Sequence, residues 1–210
     1  MNRTLLLRLD GPLQSWTSQP PTAQTTVQFP TATDLIGMIV TAFETGRGED
    51  GAELRFLETA VRADEPGRHV NDFQQSRHRR RQPPTATEEA RIKVLRRGFA
   101  ADAVFTAAVG GTAATVESAA SALARPSRQL FLGRRCCPPA APILLGLSDR
   151  SALEALGAVP YQGHRDRPPA YFDVALYSPE QEVPDDDAGA DPGIMPDRRR
   201  WTRTDVVVSS

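Results

Sequence analysis

Lysine is almost missing from this chain: of its 25 basic residues, only Lys93 is not an arginine. Cysteine is equally scarce. Cys136 and Cys137 are the only two, and as neighbours they provide no disulfide framework and no C-x-x-C redox pair. Adjacent side chains diverge in an extended chain, and closing them into a vicinal disulfide strains the peptide between them. One is expected to be buried as a small apolar group and the other to be incidental. The three histidines, His69, His78 and His164, have no paired spacing. A structural zinc site needs about four Cys or His ligands, so no metal is expected. G-x-S-x-G and Walker-type phosphate loops are also missing, which argues against serine hydrolysis and nucleotide hydrolysis. No cofactor is implied. No apolar run approaches the ~20 residues of a membrane helix. The N-terminal "MNRTLLLRLDG" has too few apolar residues before Asp10 for a signal segment. The expectation is a cytoplasmic protein with no membrane partner.

What is present is unevenly charged. The formal net charge is −1, yet residues 180–191 hold six of the 26 acids and no base, so the remainder is net positive. Residues 69–97, "HVNDFQQSRHRRRQPPTATEEARIKVLRR", carry eight bases against three acids. Arginine suits bidentate phosphate contacts and stacking on bases. A GC-rich genome would enrich arginine as well, so position along the chain has to decide.

Residues 4–9 read as a buried strand closed by a turn at Asp10-Gly11-Pro12. Residues 14–30 are polar and proline-punctuated, a long loop. Thr33 or Asp34 is expected to cap a helix that ends at Gly46. Residues 54–63 fit a strand and, less well, a short helix. The basic region alternates on both flanks of "QPPTATEE", the pattern of a hairpin arm over about 69–97. A strand at 101–111, a helix around 115–124 and a strand at 142–147 follow, then a weakly patterned stretch. The segment 179–210 is acidic and proline-rich, apart from "TRTDVVV" near its end. This order is a split β-α-β layout with an inserted arm. It points to a single α+β, ferredoxin-like (RRM-like) domain over 1–178 with an irregular C-terminal region.

Two stretches suit nucleic acid. The basic arm offers Arg77, His78, Arg79, Arg80, Arg81, Arg91 and Lys93 as a sequence-independent grip on phosphates. "RQLFLGRRCCPP" (128–139) adds Arg128 and a turn opened by Gly133, with Arg134 and Arg135 behind it, suited to a kinked phosphate chain. Trp16 and Phe29 fit either base stacking or packing over the core edge. For catalysis, His78 with Lys93 across the arm is the nearest thing to a ribonuclease centre, but a solvated neighbour of a basic run explains His78 better.

"LLLRLDGPLQSWTSQ", "FPTATDLIGMIVTAF" and "LFLGRRCCPP" together resemble the signatures of the CasD family. That family belongs to the Cas-five group of the RAMP superfamily and is a subunit of the type I-E CRISPR surveillance complex, Cascade. The matches cover roughly positions 4–43 and 128–147, in the family's order. Gly11, Gln14, Trp16, Phe29, Thr31, Gly37, Gly133, Arg134 and Arg135 fall on motif positions, and the basic arm falls where the family inserts its thumb hairpin. The resemblance implies a non-catalytic subunit that caps the 5′ handle of the CRISPR RNA, with CasE as the separate cutting subunit. It implies the backbone subunit CasC and the large subunit CasA as neighbours, and target DNA reached only through the complex. Two rival readings are an endoribonuclease that processes precursor RNA, as in a related subtype, and a protein–protein adaptor. The chain departs from the pattern at Thr17, where glycine is usual, and at Ala32 and Asp34, which replace basic and glycine positions. The acid at 34 opposes phosphate binding by the helix start. Cys136 stands where Ser or an acid is usual, which argues against thiol chemistry there.

Overall fold

Leu5, Leu7 and Leu9 are wholly buried and alternate with Thr4, Leu6, Arg8 and Asp10, the period-2 signature of a strand with two different faces. That strand is β1 (Asn2–Gln14). The computed structural model describes residues 2–16, 28–43, 56–78, 91–170, 172–177 and 202–206, at some strand positions by backbone alone. The other elements are α1 (Ala32–Ala42), β2 (Phe56–Glu65), β3 (Arg68–His78), β4 (Arg91–Thr112), α2 (Ala113–Ala124), β5 (Leu144–Ser148), α3 (Ala152–Ala158), β6 (Phe172–Tyr177) and β7 (Thr202–Val206).

One antiparallel sheet orders these strands β5-β1-β4-β2-β6-β7, with β3 paired to the first half of β4. Between β1 and β2 the chain passes through α1, and between β4 and β5 through α2. Leu35, Ile39, Val116, Ala119 and Leu123 from these two helices close over Leu5, Leu7, Leu9, Ala107 and Phe105 to form the main core. On the opposite face α3 covers Ala60, Ala108 and Val174 with Ala152 and Leu156.

The second face carries a buried ion pair that fastens the C-terminal part of the chain. Arg62 and Asp64 on β2 have side chains 1% and 0% exposed and meet at 2.8 Å. Arg62 Nη1 donates to the carbonyls of Leu156 and Val159, and Nη2 to Asp64 and the Pro160 carbonyl. The guanidinium also sits over the Phe172 ring, 4.7 Å from its centroid. Asp64 accepts in addition from Thr106 and from the Gln162 amide.

Several sequence-based boundaries shift. Asp10-Gly11-Pro12 is no turn: Gly11 pairs with Ala103 and Leu13 with Ala101, so β1 continues through the proline to Gln14. Helix α1 is capped by Thr31, not by Thr33 or Asp34, in a reciprocal box in which Asp34 is the third helical residue. The expected end at Gly46 lies outside the described residues. The arm's second flank and the 101–111 strand are one 22-residue strand, β4. Helix α3 was not anticipated, although Ser151-x-x-Glu154 is a capping box. Within the acidic segment assigned to 179–210, residues 202–206 pair with β6 as part of the sheet, while 178–201 lie outside the described residues.

Candidate nucleic-acid interface

The loop 128–140 is held by three buried side chains, Leu130, Leu132 and Cys137. Its backbone is stitched to β1 at two points. The Ser15 amide donates to Leu132 O (3.0 Å), and the Ala140 amide donates to Asp10 O (2.7 Å). Between them the chain turns sharply: Cys137 N–H donates to Arg134 O, and Leu132 N–H donates to Cys137 O. Gly133 makes this possible. Its φ is +89°, and a Cβ there would lie 1.8 Å from Ser15 O. Gly11 is the complementary close approach on β1, where a Cβ would meet Leu132 Cδ1 and Pro138 O, each at 2.9 Å.

The turn presents Arg135 and leaves Arg134 half-buried, with its guanidinium 5.3 Å from the Phe99 ring centroid. Among the described residues, Arg134 Nη1 is buried without a hydrogen-bond partner. Arg128 is exposed at the start of the loop. Phe99 lies on β4 where the β3–β4 ribbon leaves the sheet, and Ser15 Oγ donates to the neighbouring Gly98 carbonyl at 3.1 Å. The arginine turn is therefore seated at the root of the ribbon.

Register divides the ribbon into two sets of positions. Phe99, Arg97, Lys93 and Arg91, with His78 opposite Arg91, share one phase. Arg77 falls in the other phase, with Phe73, Val94 and Arg96. Phe73 and Val94 are 62% and 56% exposed, and Arg96 stacks over Phe73 at 5.0 Å. Arg79, Arg80 and Arg81 lie outside the described residues. Phe99, Arg96 and Arg97 were missed as site residues. The signal was continuity, since no proline or turn pair separates "VLRR" of the arm from "GFAADAVF" of the core strand.

Three motif residues have structural duties instead. Trp16 is 1% exposed, which is the packing alternative for that ring, and Gln14 is wholly buried, so neither side chain is presented at this surface. Gln14 Nε2 donates to the carbonyls of Leu9 and Ala103, and its Oε1 accepts from Trp16 Nε1 at 3.1 Å. The polar sequence around Trp16 concealed this, because its hydrogen-bond partner is two residues away. Thr31 is committed to the α1 cap, accepting from the Asp34 amide and donating to its carboxylate. Phe29 is half-buried against Phe105, at 5.7 Å between centroids. The Tyr177 hydroxyl fixes the adjoining Pro30 carbonyl, and burial, aided by the Asp34 charge, raises that hydroxyl's pKa. Asp34 also occupies the Thr31 amide at 3.1 Å, so the start of α1 is already satisfied.

The two cysteines differ from expectation too. Because Arg134 to Cys137 form a closed turn, their Sγ atoms converge to 3.9 Å rather than diverging. Cys136 is exposed and Cys137 buried. Burial, reinforced by the neighbouring Cys136, pushes the Cys137 thiol up to about 12. Among the described residues no three His, Cys, Asp or Glu side chains gather where they could hold a metal, and no helix is long and apolar enough to cross a membrane.

Next to the loop, Asp10 accepts from Arg8 (2.7 Å) and contacts His164 Nε2 (3.1 Å). Glu65 gathers the same segment by accepting from the Tyr161 hydroxyl and the amides of His164 and Arg165. Burial works to raise the Glu65 pKa, but these three donors together outweigh it and hold the carboxyl below its ordinary value. A depressed folded-state pKa contributes stability that is present above the unfolded value and lost as pH falls through the folded one. The His164 and Arg165 amide signals should therefore shift in NMR titrations only at a pH below the ordinary glutamate range. Glu65→Gln should abolish that titration.

A sequence model described as "CRISPR-associated protein (Cas_Cas5)" matches residues 4–203. Among solved structures, a chain described as "CRISPR RNA-guided surveillance complex" is 35% identical, with a TM-score of 0.63, covering 83% of this chain and 76% of the other. A second, described as "Crystal structure of Cas protein", is 28% identical with a TM-score of 0.67, covering 98% of this chain and 94% of the other. No curated protein sequence matches.

Proposed function

Since the chain belongs to the CRISPR-associated Cas5 family, we propose that it is the non-catalytic subunit that caps the 5′ handle of the CRISPR RNA in a type I-E surveillance complex. The observation that carries this reading is Arg134. It is pinned over Phe99 at the root of the ribbon, with one buried Nη that has no partner among the described residues. A phosphate oxygen is the natural acceptor for such a group, because a guanidinium donor left unpaired in a half-buried site is costly. Arg135 and Arg128 extend the positive surface along the same loop. The ribbon positions Arg91 and Lys93 fall in the register phase of Phe99.

The strand order β5-β1-β4-β2, with α1 and α2 in the two crossovers, supports a ferredoxin-like RAMP core, and the β3–β4 ribbon supports a thumb. The type I-E assignment, and with it CasC and CasA as neighbours, rests on the three motif stretches. The exposed pair Phe73 and Val94 favours a second duty for the thumb, seating against a neighbouring subunit.

Binding of handle RNA by Arg134→Ala plus Arg135→Ala tests the reading. Two lost charge-assisted contacts at about 1.5–3 kcal/mol each predict a loss of two to four orders of magnitude in affinity. The slope of log affinity against log salt should become shallower by about 1.4. Affinity that ignores the double substitution would favour an adaptor role. Specific, metal-independent cleavage of repeat RNA that is lost in His78→Ala would overturn the non-catalytic assignment.

A further inference from the structure

The turn that carries Arg134 and Arg135 also holds the chain's only two thiols. Their Sγ atoms lie 3.9 Å apart, one exposed and one buried. The backbone that would move if they joined is the backbone that closes the turn. Cys137 N–H donates to Arg134 O at 2.9 Å, and Cys137 O accepts from Leu132 N–H at 2.8 Å. A disulfide needs an S–S distance of about 2.05 Å. Adjacent Cα atoms are held about 3.8 Å apart, short of the ~4.4–6.8 Å range usual for bridged pairs. Closure therefore has to twist the Cys136–Cys137 peptide, whose own N–H makes the first of these hydrogen bonds, while the second uses the carbonyl of the next peptide.

We infer that Cys136 and Cys137 form a hydroperoxide-sensitive dithiol whose closure to a vicinal disulfide loosens the Gly133–Arg135 turn. Exposed Cys136 is the residue that a hydroperoxide reaches. Its thiolate sulfur attacks one peroxide oxygen and the O–O bond breaks. An alkoxide or hydroxide leaves and takes up the proton that the Cys136 thiol gave up, and Cys136 carries a sulfenic acid. The Cys137 sulfur then attacks Cys136 Sγ. The S–S bond forms as the S–O bond breaks, and the departing hydroxyl takes the Cys137 proton away as water. Two electrons have passed from the two thiols to the peroxide. Cys137 suits the resolving role: its buried, protonated thiol is slow to react with peroxide itself, but it stands beside the one sulfur it must reach. The consequence for RNA rests on the function proposed above, because it is the arginine grip that would loosen.

The full-length protein, reduced and then treated with hydrogen peroxide, supplies the test. Peptide mapping should show two free thiols becoming none, a loss of two hydrogens in the 128–150 region, and full reversal by dithiothreitol. Hydrogen exchange at the Leu132 and Cys137 amides should quicken by about tenfold or more. Affinity for handle RNA should fall about tenfold, while Cys136→Ser binds like the reduced protein and ignores peroxide. Oxidation that stops on Cys136 as a sulfinic acid, with Cys137 still a free thiol, would overturn the proposal. So would a disulfide that leaves amide exchange unchanged. If the reduced protein has no affinity for handle RNA, the proposed function fails, and the thiol count and amide exchange still decide the dithiol.

Discussion

Gly133→Ala should unfold the arginine turn and take RNA binding with it. Two costs act together. The residue has φ +89°, which an L side chain adopts at a cost of about 1–2 kcal/mol. The new Cβ would also lie 1.8 Å from Ser15 O. That neighbour is backbone just past the end of β1, so no flexible side chain can swing away to make room. Ser15 is tied on both sides, its amide to Leu132 O and its hydroxyl to Gly98 O. The loop has to lift, which loses the Ser15–Leu132 bond and exposes Leu132. A destabilisation of about 3–5 kcal/mol is expected, at the upper end for a single substitution. Denaturant unfolding measures it. Handle RNA titrated into the folded remainder should show the same loss as the Arg134/Arg135 double variant. Gly37→Ala is the control, since a Cβ there meets nothing within 4 Å and the site is helical. It should stabilise by about 0.5–1 kcal/mol.

The second large effect lies on the opposite face of the sheet. Arg62→Ala removes the donors that hold three carbonyls at the end of α3 and leaves Asp64 as a buried charge without its ion-pair partner. Breaking a buried pair from one side costs about 3–5 kcal/mol. Asp64 retains Thr106 and the Gln162 amide, which places the expectation near the lower figure. The loss should localise: amide exchange should quicken across 152–165 before the β1–β4 pairing is affected. Replacing both residues with apolar ones of similar volume, Arg62→Met with Asp64→Leu, should recover most of the stability, because no unpaired charge remains. A double variant as unstable as Arg62→Ala would show that the carbonyl contacts, rather than the buried charge, dominate.

The strand at "LLLRL" was plain in the sequence because Leu5, Leu7 and Leu9 pack under α1 and α2 while Leu6 and Arg8 stay partly exposed, and "AVFTAAV" was plain because it is one apolar run buried on both faces. Helix α2 was visible, like "LLLRL", by its one buried face. Helix α3 was hidden because seven residues span only two turns, and its stability comes from Arg62, about 90 positions earlier in the chain. No local signal carries a partner at that distance. Gly133 and the two arginines of the 128–139 loop stand out in the sequence, and the structure places them together on one turn. What the spacing concealed was the seat: Phe99 under Arg134 and the Ser15 backbone under Gly133 are brought there only by the sheet. Trp16 misled for a different reason. A polar, proline-rich neighbourhood suggests solvent, but Gln14 supplies the indole's hydrogen bond and allows the ring to be buried. The cysteines misled because divergence of adjacent side chains holds for extended chain, and this chain curls.

The place of β1 in the sheet also governs how the protein comes to be made. Its partners are residues 100–112 of β4 on one side and residues 144–148 of β5 on the other. β1 is therefore synthesised well before either of its partners. At about 5–20 residues per second, roughly 5–20 s separate the emergence of β1 from that of the β4 segment it pairs with. During that interval Leu5, Leu7 and Leu9 have no sheet to join, and a strand with both edges open is a template for pairing between chains. Folding is consequently late and dominated by long-range closure. Yield during expression should depend on chaperone supply and temperature more than on the stability of the finished fold.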